Sequence, residues 1–151
     1  MIIRRLFSTP ILTVLGLVTA FGFVSPSPSP AHAEVGTVVV DGSWACSVPA
    51  GYTYDYADRR PECGMQLGYR IRVPVDGLWA CLTVGNFTHD YAYKTWTCHP
   101  SNPNQATMYH LRTPFDGLWA CTVPPGFRYD TSYSTVSCYP PNYALMYHLR
   151  R

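Results

Sequence analysis

The chain has 151 residues, six cysteines, 15% aromatic residues and a formal net charge of +2 that Arg4 and Arg5 alone account for. With those two set aside the charges balance, which excludes a basic footprint for nucleic acid and a general drive toward polyanions. Fourteen prolines, eleven glycines and short runs rich in Tyr, Val and Thr argue against a helical fold.

Met1 to Ala33 reads as a secretory signal peptide. Arg4 and Arg5 give it a positive start, and Ile11 to Val24 an apolar run of fourteen residues. That run is shorter than the ~20 residues of a membrane span. Ala31-His32-Ala33 puts small residues where a signal peptidase reads, so cleavage is expected before Glu34 and the mature chain is expected to carry no membrane span. The first cysteine is Cys46, which argues against a lipid anchor at the cleavage site. Arg4-Arg5-Leu6-Phe7 partly matches a twin-arginine signal, so either export route fits. The leader looks bacterial, and the expected location is secreted, extracellular.

Residues 34–151 form one expected all-β domain built from three repeats, 38–74, 75–114 and 115–151. They carry "VDGSWAC", "VDGLWAC" and "FDGLWAC", ending at Cys46, Cys81 and Cys121. A second cysteine follows seventeen positions later in each, at Cys63, Cys98 and Cys138. This repeated spacing in a secreted chain predicts three equivalent disulfides, one per repeat. Zinc is the competing reading, but its sites usually use closely spaced pairs such as Cys-x-x-Cys, which are absent.

Two turns recur within each repeat. Ala50-Gly51, Gly85-Asn86 and Pro125-Gly126 fit the central pair of a type II turn, with the positive φ on the second residue. Asp41-Gly42, Asp76-Gly77 and Asp116-Gly117 predict a hairpin with a three-residue loop. That loop would set Leu111 opposite Cys121 and Tyr109 opposite Val123. It would also place Trp119 with them on a buried face, with His110, Arg112, Ala120 and Thr122 on the other. Trp44, Trp79 and Trp119 are accordingly expected in the core, stacked on the disulfides. Each repeat closes with a related strand, at Tyr69, Tyr109 and Tyr147, and "TVVV" at Thr37 supplies a fourth version.

A stapled unit of about 35–40 residues has too little core to stand alone. Three can pack in a closed pseudo-threefold form, β-trefoil-like, or as a linear array. The closed form is the expectation and the linear array the alternative. In repeat count and unit length the chain resembles small three-repeat β-trefoil lectins, in architecture only. The Gln-x-Trp pattern of ricin-type lectins is absent, so no family follows.

Catalysis is not expected. There is no Gly-x-Ser-x-Gly elbow and no phosphate-cradling loop, and fully paired cysteines leave no thiol nucleophile. No cofactor and no metal is expected. His110 and His148 hold matching positions, but Arg70 replaces them in the first repeat, which counts against a threefold metal site. Asp41, Asp76 and Asp116 are explained as turn formers. Asp55, Asp90 and Asp130 are less constrained. With the preceding Tyr54, His89 and Tyr129 they are candidate ligand contacts, the alternative being caps on loop amides. Trp96 has no counterpart in the other repeats and is a candidate for a specific contact, beside Tyr91, Tyr93 and Lys94. Two functions fit. The first is a secreted, non-catalytic carbohydrate-binding module for cell-wall or environmental glycan. The alternative is a disulfide-stapled scaffold binding an extracellular protein as inhibitor, toxin-like effector or surface component.

Overall fold

A computed structural model describes residues 39–151. The expected signal peptide, the cleavage point before Glu34 and the start of the Thr37 strand lie outside the described residues. Nine strands follow in chain order: β1 (Trp44–Ala45), β2 (Thr53–Arg60), β3 (Gln66–Arg72), β4 (Trp79–Ala80), β5 (Thr88–Thr95), β6 (Ala106–Arg112), β7 (Trp119–Ala120), β8 (Arg128–Tyr139) and β9 (Asn142–Arg150). They form three antiparallel sheets of three strands, in the orders β1-β3-β2, β4-β6-β5 and β7-β9-β8. Each unit therefore has a two-residue strand, a long strand and a closing strand, with the closing strand in the middle. One disulfide staples each unit: Cys46–Cys63, Cys81–Cys98 and Cys121–Cys138. Among the described residues no helix is long and apolar enough to cross a membrane.

The Asp-Gly segment does not make the expected hairpin. β7 pairs with β9 of its own unit, Trp119 opposite His148 and Ala120 opposite Tyr147, not with the preceding β6. The closing strand β6 already has β4 on one edge and β5 on the other, so no edge remains for β7. Pro114 then follows Thr113, and a proline has no N–H with which to extend a ladder. Asp-Gly instead forms a tight turn closed by an N–H···O=C bond, Ser43 to Val40, Leu78 to Val75 and Leu118 to Phe115. Its glycine has φ of 82°, 77° and 88° in the three units, a conformation that costs glycine almost nothing. The same glycine donates its N–H to the closing strand, at Ile71, Leu111 and Leu149. The aspartate accepts the N–H of the residue just after that strand, Val73, Thr113 or Arg151. Asp-Gly thus ties the beginning of each unit to its end.

The changed pairing also exchanges the expected places of Trp and Ala, while Leu111 and Cys121 are buried and His110 and Arg112 lie on the polar face as expected. Trp79 and Trp119 are about 38% and 37% exposed, while Ala80 and Ala120 are fully buried. The reason is strand parity: each Trp lies opposite the His of the closing strand, and each Ala opposite the Tyr. The core side of the closing strand is filled by Ile71, Leu111 and Leu149, all completely buried. Around Leu149 pack Leu118 and Ala120, with Val123, Phe127 and Tyr147 at the margin.

The second turn forms as expected at Gly51 and Gly126, with φ of 81° and 83°. In the middle unit the positive φ falls on Gly85, at 57°, and not on Asn86. When a glycine is adjacent, the left-handed slot goes to the residue without a Cβ.

Units meet through a repeated junction. The N–H of Cys81 donates to the Tyr54 carbonyl, and that of Cys121 to the His89 carbonyl, both at 2.7 Å. Thr53 and Thr88 are fully buried there, and their hydroxyls reach Leu82 O and Thr122 O in the next unit. The Cys81–Cys98 bridge sits in one apolar cluster with Tyr54 and Ala57 of the preceding unit and Met108 of its own. The junctions join the first unit to the second and the second to the third. Among the described residues no backbone hydrogen bond joins the third unit to the first.

Candidate functional site

Each long strand bulges at its aspartate. Pairing runs Tyr54↔Ile71 and then Tyr56↔Arg70, leaving Asp55 as the extra residue; Asp90 and Asp130 are skipped in the same way. A bulge bends the strand and re-aims the side chain it leaves unpaired. Here it turns the carboxylate across the sheet toward the polar face of the closing strand. Asp55 binds Arg70 and Arg72. Asp90 binds His110 Nδ1 at 2.6 Å and also Arg112. Asp130 binds His148 Nδ1 at 2.8 Å and also Arg150. The same arginine then reaches the turn aspartate: Asp41, Asp76 or Asp116. Each unit thus has two carboxylates bridged by one guanidinium, with an Arg or His as fourth member. The expected cap on a loop amide is not what these aspartates do; their partners are side chains on the neighbouring strand.

Burial of this network falls along the chain. The Asp55 side chain is 10% exposed, that of Asp90 23% and that of Asp130 42%. Bonds from Arg150 and His148 hold the Asp130 carboxyl below the usual carboxylate range. Asp41 and Asp76 are lowered chiefly by the backbone N–H groups of Val73 and Thr113.

An aromatic layer lies over the network. His110 packs on Trp79 and His148 on Trp119, each pair with ring centroids 4.8 Å apart and tilted by 35°. Trp79 also meets Tyr91 and Tyr93 edge-on, and Trp119 meets Tyr133. The Tyr93 and Tyr133 hydroxyls reach the sulfurs of Met108 and Met146. The first unit departs from this pattern. Gly68 stands where the others have methionine, and a Cβ there would lie 2.4 Å from Cγ of Arg60. The space lets Arg60 cross the sheet and lie over Trp44, 4.3 Å from the ring centroid.

These surfaces converge between the second and third units. Asp90, Tyr91, His110 and Arg112 of one unit and Phe115, Trp119 and Met146 of the next line a cleft of ≈ 500 Å³. No family model matches the chain, and no curated protein or solved structure matches it. The cleft must therefore be read from its own chemistry. It offers exposed aromatic faces beside hydrogen-bonding groups of both signs, already fixed by one another.

The candidate residues fall in three places. Asp90 lines the cleft, and Asp55 and Asp130 hold the equivalent positions in their own units. Tyr54 and His89 are buried at the junctions and do not line the cleft; the Tyr54 hydroxyl donates to Cys98 O at 3.3 Å. Tyr129, in the same position of the third unit, is 53% exposed, with no described unit packed over it. Trp96 is half exposed, but it lies on the β5–β6 connection and does not line the cleft. Sequence reasoning passed over Arg112, Phe115 and Trp119 as contacts and read His110 as a solvated strand residue. The alternation of "YHLR" was the available signal, since it puts His and Arg on one face opposite two aspartate columns.

Proposed function

We propose that the protein is a secreted, non-catalytic carbohydrate-binding module whose site is the cleft between its second and third units. The observation that carries this reading is the exposed Trp119 ring beside the Asp90–His110–Arg112 network. Sugar C–H faces stack on such rings, while fixed carboxylate, imidazole and guanidinium groups bond hydroxyls in defined directions. The groups are paired before ligand arrives, so little ordering is needed on binding. The units are read as a row rather than a ring, supported by junction bonds that, among the described residues, run only from the first to the second and the second to the third. A row sets equivalent aromatic faces side by side, and weak contacts along a polymer then reinforce one another. Secretion fits three disulfides, which persist in oxidising compartments.

The test is retention on insoluble polysaccharides and a glycan array, with tryptophan fluorescence as readout. Retention lost on Trp119→Ala supports the reading; no retention on any glycan, with fluorescence unchanged, removes it. The second reading, a protein-binding scaffold, is favoured by the exposed Tyr139, Tyr143 and Leu145 on the β8–β9 hairpin. Capture of a secreted protein that depends on those three residues, with no glycan retention, selects it.

A further inference from the structure

One half of the junction that joins the units is exposed on the third unit and the other half on the first. At the last unit, Tyr129, Ser132 and Leu145 are exposed. Tyr129 and Ser132 occupy the positions at which Tyr54 and Ala57, and then His89 and Ala92, are buried by the next unit. At the first unit Cys46 is exposed, whereas Cys81 and Cys121 are buried under the preceding unit. The backbone groups match in the same way. The N–H of Cys81 and of Cys121 each bond a carbonyl of the preceding unit, and among the described residues the N–H of Cys46 makes no such bond. Tyr129 in turn holds the position of the accepting residues Tyr54 and His89, and among the described residues its carbonyl receives no such bond.

We propose that these two open halves dock in separate copies, so that the protein associates head to tail through a third version of its own internal junction. The occupant of the Tyr129 face is the Cys46–Cys63 bridge of a second copy. The proposal extends the reading of the units as a row and does not depend on which ligand the cleft takes. Such a contact joins two different surfaces, so each added copy presents a fresh half and assembly proceeds past a two-copy isologous dimer.

Two side chains make this junction weaker than the internal ones. Arg128 stands where Thr53 and Thr88 are buried, and Ser132 where Ala57 and Ala92 are. A long side chain at a tightly packed position must move aside, and a buried hydroxyl must find a partner. The backbone groups are untouched by either change. Association is therefore reversible and set by concentration, whereas the internal junctions are held permanently by the chain.

The experiment is sedimentation velocity of the mature, oxidised chain over a range of concentrations. The native protein is expected to grow without a plateau at two copies. Tyr129→Asp, at an exposed position, should abolish growth while circular dichroism shows the fold retained. Arg128→Thr with Ser132→Ala, restoring the residues of the internal junctions, should lower the concentration at which growth begins at least tenfold. A native chain that remains monomeric throughout overturns the proposal. So does a closed dimer, or growth indifferent to both variants. Glycan retention by a monomeric Tyr129→Asp protein keeps the test separate from the fate of the cleft.

Discussion

Asp90 and His110 lie 2.6 Å apart, Oδ1 to Nδ1, across a bulge that leaves Asp90 without a partner in the strand ladder. Asp130 and His148 repeat the arrangement, and Arg70 takes the imidazole's place beside Asp55. The bulge is what converts a strand residue into a cross-strand ligand for a cation.

Removing the charge alone should rank the three units. Asp55→Asn is expected to cost about 1–3 kcal/mol, because a buried acceptor bound by two guanidinium groups loses its ionic partners. Asp90→Asn should cost less and Asp130→Asn least, in the order of their exposure. Urea denaturation midpoints check the ranking. Equal effects at Asp55 and Asp130 would show that burial does not set the strength of the network.

Acid should act on the junction between the second and third units. His89 is 6% exposed, its Nδ1 has no hydrogen-bond partner, and burial lowers its pKa from 6.5 despite the opposing effect of Asp90 and a bond to the Cys138 backbone. Well above pH 6.5 the imidazole is neutral whether the chain is folded or not. Below it the unfolded chain takes up a proton that the folded chain resists, so stability falls as pH falls toward the lowered folded value. His89→Tyr, which installs the residue found at Tyr54 and Tyr129, should remove that component. The difference between the two thermal-midpoint curves is the measurement; parallel curves from pH 7 to 5 would contradict it.

Two tryptophans should separate the cleft from the rest of the surface. Trp119→Ala is expected to weaken glycan retention at least tenfold, since the ring lines the cleft and its stacking partner His148 remains. Trp96→Ala should leave retention within twofold. The reverse result, read by fluorescence titration of the two variants, would move the site to the β5–β6 connection.

The three disulfides are alike in loop length but not in surroundings. Each should contribute about 3 kcal/mol in the chain-entropy picture. Cys98 is fully buried and its bridge packs against Tyr54 and Ala57, whereas Cys46 is exposed. Replacing Cys81 and Cys98 by serine should therefore cost more than replacing Cys46 and Cys63. Denaturation of the two double variants tests this, and equal losses would deny the second bridge its packing role.

What could be read from the sequence was local. Cys121 and Cys138 announce their bridge by a spacing that recurs three times. Gly51 and Gly126 announce their turns because few other residues tolerate that backbone. Pairing was less legible, for β7 is only two residues long and has no periodicity to follow. Parity then failed at Trp119: the strand stops at Ala120, so Cys121 says nothing about the face its neighbour takes. The bulge at Asp90 leaves no mark at all in a linear pattern. It shifts alternation by one position, and only the pairing of His89 with Leu111 and Tyr91 with His110 exposes the shift. The cleft depends on residues from two units and on that shift together, which is why Trp119 and Arg112 were not singled out.

The shared junction also bears on how such a chain can change over generations. Thr53 and Thr88 present the same hydroxyl to the unit that follows, and the bridges they cover are interchangeable in spacing. Loss of residues 75–114 from the gene would bring Thr53 against Thr122 and Tyr54 against Cys121, a meeting for which both surfaces are already shaped. Duplication of the same stretch would add a unit with no new contact to invent. Shortening or extending the protein by one whole unit is thus a smaller step for this architecture than many single substitutions inside it.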